Sequence, residues 1–197
     1  MRYDAEHKQK TRERVLKEAA KAIRAEGPHQ VGVAQVMAKA GLTHGGFYAH
    51  FSSKEDLIAE AIGQMFVESG EKMAAEYAGR TPAEALVGYI NFYLSRSHRD
   101  SRSAGCPLPF LAADAPRLAE PARERFAKGV ASLEAKLAGQ LAALGHPNAE
   151  EEGAALLAQL VGAVSLARAE PDPERSDQIL ARCRASVKRR FGLENVK

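Results

Sequence analysis

The sequence contains no tryptophan, only two cysteines and few aromatic residues of any kind. Tyr and Phe supply the whole aromatic fraction of 6%, and the Ala-rich composition favours helices over β-branched, aromatic strands. Cys106 and Cys183 are too few for the disulfide framework of a small secreted protein. With 45% hydrophobic residues, the 197-residue chain still has the means to bury a sizeable core.

Long apolar runs are missing as well. No stretch of about 18 apolar residues is present, so the sequence predicts no transmembrane span. Residues 1–14 are polar and lack the apolar segment of a signal peptide, and we therefore expect a soluble, cytoplasmic protein without a membrane partner. The histidines are scattered without the spacing of metal ligands, so neither a metal site nor a cofactor is expected.

Positive charge is concentrated at the N-terminal end. Residues 1–52 hold nine Lys and Arg against five Asp and Glu, whereas the remainder of the chain holds 19 against 20. Such an asymmetry is expected where one end of a protein meets a polyanion, although a solvated helix face would give the same excess.

Apolar residues recur at helical spacing through most of the chain, and no strand pattern is found. The predicted helices cover, approximately, residues 8–26, 33–40, 43–51, 53–77, 82–94, 106–114, 116–144, 149–169 and 173–191. The polar stretch Ser95–Gly105 is predicted to be a mobile loop. The fold class is therefore all-α, with about nine helices.

Residues 31–51, VGVAQVMAKAGLTHGGFYAHF, carry the most specific pattern in the chain. Two short helices joined by Ala-Gly-Leu-Thr predict a helix-turn-helix, whose second helix enters the major groove of DNA. The sharp turn requires a positive φ at Gly41, and Phe47 packs between the two helices. Thr43 and His44 are then left at the exposed leading end, where base edges and phosphates would be met.

The run GLTHGGFYAHFSSKEDLIAEAI, at residues 41–62, closely resembles the signature of the TetR (tetracycline-repressor) family of bacterial transcription regulators. The resemblance covers about residues 8–68. It implies a three-helix DNA-binding domain at residues 1–53 and a helical domain for effector binding and dimerisation at residues 54–197. It also implies a transcription regulator rather than an enzyme: a homodimeric repressor that a small molecule, such as an oxidant or electrophile, releases from a palindromic operator.

The resemblance assigns DNA contacts to individual positions of this sequence. The implied DNA-binding residues are Thr11, Arg12, Gly32, Thr43, His44, Gly45, Gly46, Tyr48, His50 and Lys54. The last three would reach backbone phosphates, although Tyr48 at the rim of the core and His50 solvated at a helix end are the alternatives. Gly32 stands where many members have Ser or Thr, so a capping and phosphate-binding hydroxyl is missing there.

The resemblance also implies an effector pocket in the C-terminal domain. The residues expected to line it are Met65, Phe66, Tyr89, Phe92, Tyr93, Cys106, Phe110 and Leu111, although ordinary core packing would account for most of them. Cys106 is predicted at the N-cap of a short helix that follows a basic loop. Because a helix N-terminus and nearby cations lower the pKa of a thiol, Cys106 would be the site of oxidant sensing; the alternative is a small buried hydrophobe.

Small residues recur along the helix predicted for residues 149–169, and one apolar stripe follows the last helix. Together they predict a four-helix bundle across a two-fold axis, which would demand a near-palindromic operator. The predicted interface residues are Ala154, Ala158, Gly162, Ser165, Ile179, Cys183 and Val187. Packing inside one monomer is the alternative for these stripes.

Two other classes of function are compatible with the sequence. A cysteine-dependent enzyme would use Cys106 as nucleophile and His98 as base, but the sequence offers no third group to orient them. An architectural DNA-binding protein would need no effector, but it would also need no C-terminal domain of this length.

Overall fold

The secondary structure of the described residues consists of helices joined by short loops. The structure, a computed structural model, describes the backbone of residues 2–196 and the side chains of residues 6–196, and no strand occurs among them. The α-helices in that range are α1 (Arg2–Glu26), α2 (Val33–Lys39), α3 (Lys54–Tyr77), α4 (Pro82–Tyr93), α5 (Arg96–Asp100), α6 (Leu108–Leu111), α7 (Glu120–Ala143), α8 (Ala149–Ala169) and α9 (Pro173–Arg190). Two 3₁₀ helices, His44–Ala49 and Ala115–Arg117, are added to them. The predicted all-α class is confirmed.

The chain forms two compact units, each assembled from separate stretches of sequence. The first unit comprises the residues up to Val67 together with Arg102–Gly129. The second comprises Glu68–Ser101 together with the residues from Val130 onward. Helices α3 and α7 therefore each contribute to both units. These units do not test the predicted boundary at residue 53 between the DNA-binding domain and the effector-binding domain, which stays a prediction.

The first unit is built on the apolar face of α1. Val15, Ala19 and Ile23 recur at helical spacing and are completely buried. Helix α2 packs on α1, with Val36 and Met37 inside the core, and the 3₁₀ helix His44–Ala49 packs on α2. The position of the 3₁₀ helix in the unit is thus set by its packing on α2.

The second unit is built from α4, α5, α8 and α9, together with parts of α3 and α7. Helix α4 begins with a capping box, in which the Thr81 hydroxyl accepts the N–H of Glu84 and the Glu84 carboxylate accepts the N–H of Thr81. Helix α8 packs on α9, and α4 contacts both. At Gly153 of α8 an added Cβ would lie 2.8 Å from the backbone nitrogen of Ala138, so α7 and α8 cross in direct backbone contact.

The loop predicted for Ser95–Gly105 is wrong in its first half, which forms α5. The Ser95 hydroxyl caps this helix by accepting the N–H of His98 at 3.1 Å. Arg168 of α8 donates to the backbone carbonyls of His98 and Arg99 at 3.0 and 2.9 Å, which satisfies the C-terminal end of the helix. Because these partners come from about 70 positions away in sequence, the local pattern gives no sign of a helix.

The predictions for the segment around Cys106 also need correction. Helix α6 begins at Leu108 with Pro107 at its N-cap, so Cys106 lies before the cap rather than at it. Helix α7 begins at Glu120, later than predicted, because Ala115–Arg117 forms a separate 3₁₀ turn. Within residues 2–196, none of the helices has the length and apolar character needed to span a membrane.

Candidate nucleic-acid interface

The turn between α2 and the 3₁₀ helix His44–Ala49 is closed by backbone hydrogen bonds. The N–H of Leu42 donates to the carbonyl of Met37 at 2.9 Å, and the N–H of Gly41 donates to that of Ala38 at 3.0 Å. Gly41 has a φ of +72°, which residues with a Cβ rarely adopt. The sharp turn therefore depends on glycine, as the sequence predicts.

The segment that follows has one buried and one exposed face. Phe47 and Phe51 are each 2% exposed, and their rings stack with centroids 5.6 Å apart. Tyr48, next to Phe47 in sequence, is 72% exposed. Burial of the two Phe rings thus turns the opposite side of the segment outward. We call this exposed side the recognition surface; it consists of Thr43, His44, Gly45 and Tyr48.

Neither helix of the motif is capped by the side chain at its start. Thr43 is the N-cap of the 3₁₀ helix, but its hydroxyl makes no capping hydrogen bond. Gly32 is the N-cap of α2 and has no side chain with which to cap. The first N–H groups of a helix lack intrahelical acceptors, so both starts suit an anion such as a DNA phosphate.

His50 lies at the end of the 3₁₀ helix and is half-buried. Its Nδ1 is buried and has no hydrogen-bond partner among the described residues. Burial, followed by the charges of Lys8 and Arg12, lowers the pKa of His50 from its ordinary value of 6.5. The imidazole is therefore neutral at pH 7, and it offers this surface hydrogen bonding rather than charge.

Lys54 is the first residue of α3 and is partly exposed. The preceding residue, Ser53, accepts the N–H of Asp56 at 3.1 Å and so caps the helix. The Lys54 ammonium donates to the carbonyl of His29 at 3.4 Å, which holds it beside the positive end of the α3 dipole. A cation in this position suits a phosphate group.

The two residues predicted to contact DNA from α1 differ in exposure. Thr11 is 6% exposed and faces the core, whereas the Arg12 side chain is 27% exposed. The Arg12 guanidinium lies over the ring of Phe51, 4.9 Å from its centroid, and forms an ion pair with Glu60 at 3.3 Å. Of the two, Arg12 is the one whose side chain reaches the surface.

Three contacts made by arginine side chains of the first unit are absent from the predictions made on the sequence. Arg24 is 7% exposed and donates from Nε to the carbonyl of Gly105 at 3.2 Å. Arg24 follows the buried Ala20 by four residues, so helical periodicity places both on the same face of α1. This spacing is the signal from which the burial of Arg24 could have been predicted. Glu60 pairs with Arg12 and also with Arg125 of α7, and no local pattern predicts contacts across 48 and 65 positions.

The residues predicted to line an effector pocket are divided between the compact units. The first unit contains Met65, Phe66, Cys106, Phe110 and Leu111, and the second contains Tyr89, Phe92 and Tyr93. All are buried except Phe92 and Phe110, which are partly exposed. Phe92 lies on the wall of a groove of about 640 Å³ in the second unit. The wall also carries polar residues, among them Glu76, Arg80, Asn91 and Ser95.

An aromatic cluster surrounds His98 in the second unit. Its ring lies 4.6 Å from that of Tyr93 and 5.4 Å from that of Phe92, and its Nδ1 is 2.7 Å from the carbonyl of Tyr93. His98 is 3% exposed, and burial is the largest influence lowering its pKa. The side chain therefore acts as a neutral packing residue at the junction of α4 and α5.

The residues predicted for a dimer interface lie on α8 and α9. Those that keep at least part of their surface exposed are Ala154, Ala158, Gly162, Ser165, Ile179 and Cys183. Val187 is completely buried within the monomer, so it faces the core rather than a partner. A Cβ added at Gly162 would meet open space, and Leu166, one helical turn further on, is 64% exposed.

Family comparisons agree with this arrangement of elements. The family described as "Bacterial regulatory proteins, tetR family" matches residues 15–61. The family described as "Transcriptional regulator LmrA/YxaF-like, C-terminal domain" matches residues 82–184. The two matches leave the linking part of α3 between them.

Individual proteins are similar as well. The chain is 29% identical over 146 residues to the "Uncharacterized HTH-type transcriptional regulator YxaF" of Bacillus subtilis (strain 168). The aligned region covers 72% of this chain and 74% of the relative. The reduced form of E. coli NemR has a TM-score of 0.79 at 21% identity, over 91% of this chain and 97% of that one. The structure of a TetR-family regulator from Agrobacterium tumefaciens has a TM-score of 0.76 at 22% identity, over 91% of this chain and 98% of that one. At these identities the solved structures show a common fold.

Proposed function

The chain belongs to the TetR family of bacterial transcriptional regulators, and we propose that it is a homodimeric repressor that a small-molecule effector releases from a palindromic operator. The observation that carries the proposal is the recognition surface. Two buried Phe rings hold it, and Tyr48 stands 72% exposed upon it. An exposed Tyr offers an apolar ring and a polar hydroxyl to a binding partner, which is why Tyr is enriched at interfaces. A regulator that binds its operator in a bacterium works in the cytoplasm, where we place this protein.

The proposed DNA contacts divide into two kinds. Thr43 and His44, at the leading end of the 3₁₀ helix, read base edges in the major groove. Tyr48, Lys54 and Arg12 bind backbone phosphates, which position the protein without selecting sequence. The buried Thr11 supports α1 and is not part of the surface. Gly45 and Gly46 let the backbone approach DNA closely, and the uncapped start of α2 at Gly32 offers its N–H groups to a phosphate. The neutral His50 imidazole, next to the recognition surface, would contribute a hydrogen bond to a phosphate.

We place the dimer interface on the exposed faces of α8 and α9. Leu166 is 64% exposed, and Ala158 and Gly162 offer a small-residue surface to a partner helix. The same patch on a second copy of the chain, related by a two-fold axis, would bury Leu166 together with this small-residue surface. Two recognition surfaces related by that axis would read two half-sites of a near-palindrome.

The effector is proposed to act by a population shift. A ligand that binds one conformer better moves the equilibrium towards it, and the favoured conformer no longer presents both recognition surfaces to successive grooves. We assign the pocket to the second unit, where Phe92 lies on the wall of the groove described above and Tyr89 and Tyr93 pack beside it. An oxidant or electrophile is the alternative effector, with Cys106 as its target; because Cys106 is 5% exposed, the reagent would reach its thiol through a local opening of the chain around it.

Other functions are less well supported. An enzyme with Cys106 as nucleophile and His98 as base is disfavoured, because His98 is 3% exposed and its Nδ1 is engaged by the carbonyl of Tyr93. Both the family and the fold point to a transcriptional regulator. An architectural DNA-binding protein would have no use for the matched C-terminal family domain at residues 82–184.

Operator binding tests the proposal. Fluorescence anisotropy would compare a duplex of the DNA flanking the protein's own gene with a random duplex over a series of salt concentrations. A repressor binds the flanking duplex tightly as a dimer and prefers it to the random one. A Thr43→Ala/His44→Ala variant should lose this preference, whereas Lys39→Ala, on α2 outside the recognition surface, should keep it. Equal, weak and steeply salt-dependent binding to both duplexes would instead support the architectural function.

A further inference from the structure

One carboxylate joins three helices of the first unit. Glu60 of α3 places Oε2 at 3.3 Å from Nη2 of Arg12 on α1, and Oε1 at 3.4 Å from Nη2 of Arg125 on α7. The two oxygens thus serve two different guanidinium groups. One negative charge is shared between two positive charges, so neither ion pair is fully neutralised.

The surroundings of Arg12 make this sharing relevant to DNA binding. Its guanidinium lies over the Phe51 ring, at the end of the segment that carries the recognition surface. Arg12 and Lys8 also act electrostatically on His50. The side chains of Arg12 and Glu60 are 27% and 29% exposed, so their attraction is only partly screened by water. A phosphate and Glu60 would therefore compete for the same guanidinium.

We propose that Glu60 is a positioning residue for DNA binding and that Arg125 sets how firmly Glu60 withholds Arg12 from a DNA phosphate. When Arg125 occupies Oε1, part of the Glu60 charge is compensated, and Arg12 is released to a phosphate at lower cost. When Arg125 is withdrawn, Arg12 is left as the single guanidinium of this cluster that pairs with Glu60. The ion pair between Arg12 and Glu60 then becomes stronger. A residue on α7 thereby adjusts DNA affinity without touching DNA.

The same contacts make the affinity for DNA depend on the position of α7. Helix α7 continues from Arg125 to Ala143, so any rearrangement that shifts its first two turns moves the Arg125 side chain away from Glu60. The outcome is the same as deleting the guanidinium: Arg12 is held back and the DNA complex weakens. This inference rests on the proposed contact between Arg12 and an operator phosphate.

A double-mutant cycle tests the inference. The dissociation constants of the wild type, Arg125→Gln, Glu60→Gln and the double variant are measured on a duplex that the wild type selects from a randomised pool, and on a random duplex. Arg125→Gln is expected to weaken binding to the selected duplex by about two- to fivefold, the range of a partly exposed ion pair. In the Glu60→Gln background the same substitution is expected to change affinity by less than about 1.5-fold, because the carboxylate through which it acts is gone.

Three controls separate this route from general electrostatics and from misfolding. Arg123→Gln removes the same charge from an exposed position of α7 and should act equally in both backgrounds. Arg125→Lys, which keeps the charge, should restore most of the wild-type affinity. If Glu60→Gln does not fold, Arg12→Gln provides a second background, in which Arg125→Gln should again have no effect.

The outcomes are distinct. Loss of the Arg125→Gln effect in either background supports the inference. An equal effect of Arg125→Gln in all backgrounds, or no effect in the wild type, overturns it while leaving the proposed function intact. If the wild-type protein selects no duplex from the pool, the proposed operator binding itself fails.

Discussion

The Nε of Arg24 donates a hydrogen bond of 3.2 Å to the carbonyl of Gly105. Arg24 belongs to α1 and is 7% exposed, and Gly105 directly precedes Cys106 in a segment 81 positions away. A buried guanidinium thus ties the chain between α5 and α6 to the helix that supports the recognition surface. Charged side chains are buried at a high desolvation cost, so the contacts that compensate for it matter for folding.

Replacement of Arg24 should destabilise the first unit. Arg24→Met keeps much of the side-chain volume but loses the charged donor, and we expect a loss of about 1.5–3 kcal/mol in the free energy of unfolding. Urea unfolding followed by circular dichroism measures the change. Lys21→Met, on the same helix but pairing with Glu18 at the surface, should change it by less than about 0.5 kcal/mol. Similar effects for both variants would show that the buried hydrogen bond of Arg24 contributes no more to the free energy of unfolding than the surface ion pair of Lys21.

A hydroxyl introduced at Gly32 should strengthen both the fold and the DNA complex. A Cβ there would meet nothing closer than Gln35 Cβ at 3.8 Å, and the φ of −94° suits any residue. Gly32→Ser therefore supplies the missing N-cap of α2, which is expected to add a few tenths of a kcal/mol, roughly 0.3, to stability. Its hydroxyl would also reach towards a phosphate, so anisotropy should show tighter binding.

Gly41→Ser is the matched control for this substitution. Gly41 has open space around it but a φ of +72°, so a side chain strains the backbone there. We expect it to lower stability by about 1 kcal/mol and to weaken DNA binding. If both serine variants behaved alike, capping would not explain the gain at Gly32.

Tyr48 and Lys54 should affect salt dependence differently. Tyr48→Phe removes one neutral donor to phosphate, so we expect affinity to fall by about two- to tenfold with an unchanged slope of log K against log salt. Lys54→Gln removes a cation, and the slope itself should decrease by about 1. Anisotropy over a salt series on selected and random duplexes measures both. A changed slope for Tyr48→Phe, or an unchanged one for Lys54→Gln, would contradict the assigned contacts.

His98 should make the fold less stable in acid. Burial, the largest influence, and the charges of Arg168 and Lys72 lower its pKa, while the hydrogen bond to the Tyr93 carbonyl raises it. The unfolded chain therefore takes up a proton first as the pH falls below 6.5, the ordinary value. The stability that neutral His98 provides is present above that pH and is lost as the pH falls through the lowered pKa.

Urea midpoints at about pH 7.5 and about pH 5.5 would measure this effect. In His98→Gln, which cannot titrate, the decrease between the two pH values should be smaller than in the wild type. Phe92→Leu disturbs the same aromatic cluster but keeps the imidazole, so the full decrease should persist. An unchanged decrease in His98→Gln would show that other groups cause the acid sensitivity.

Leu166→Glu should dissociate the proposed dimer. The side chain is 64% exposed on α8, so a charge there leaves the monomer fold intact but opposes burial against a second copy. Sedimentation velocity is expected to show a shift towards monomer together with weaker operator binding. Ala143→Glu adds the same charge at an exposed position on α7 and should remain dimeric. Dimers of unchanged stability in Leu166→Glu would remove α8 from the interface.

Local signals in the sequence predict a large part of the fold. Thr81 and Glu84 form the capping box that opens α4, and Gly41 adopts the positive φ that the turn requires. Such features depend on residues within a few positions of one another, so one stretch of sequence contains all the necessary information. The exposure of Tyr48 beside buried Phe47 follows for the same reason, because neighbouring side chains of a 3₁₀ helix point about a third of a turn apart.

Features that depend on distant partners escape local patterns. Helix α5 looks like a polar loop because the Arg168 side chain that holds its carbonyls lies on α8. The burial of Val187 and the sharing of Glu60 between Arg12 and Arg125 likewise depend on which helices meet in three dimensions. Periodicity identifies the face of a helix that is apolar, but it does not identify the neighbour against which that face packs.

The two glycines of α8 divide its length into sites with different mutational tolerance. At Gly153 no side chain fits, because an added Cβ would meet the α7 backbone within the same chain. Gly162 has open space around it in the monomer, so a library of substitutions there should fold normally. Should selection for repression nevertheless retain glycine at position 162, the constraint would come from a second molecule. A saturation library scored once for folding and once for repression would therefore map the subunit contact from growth data alone.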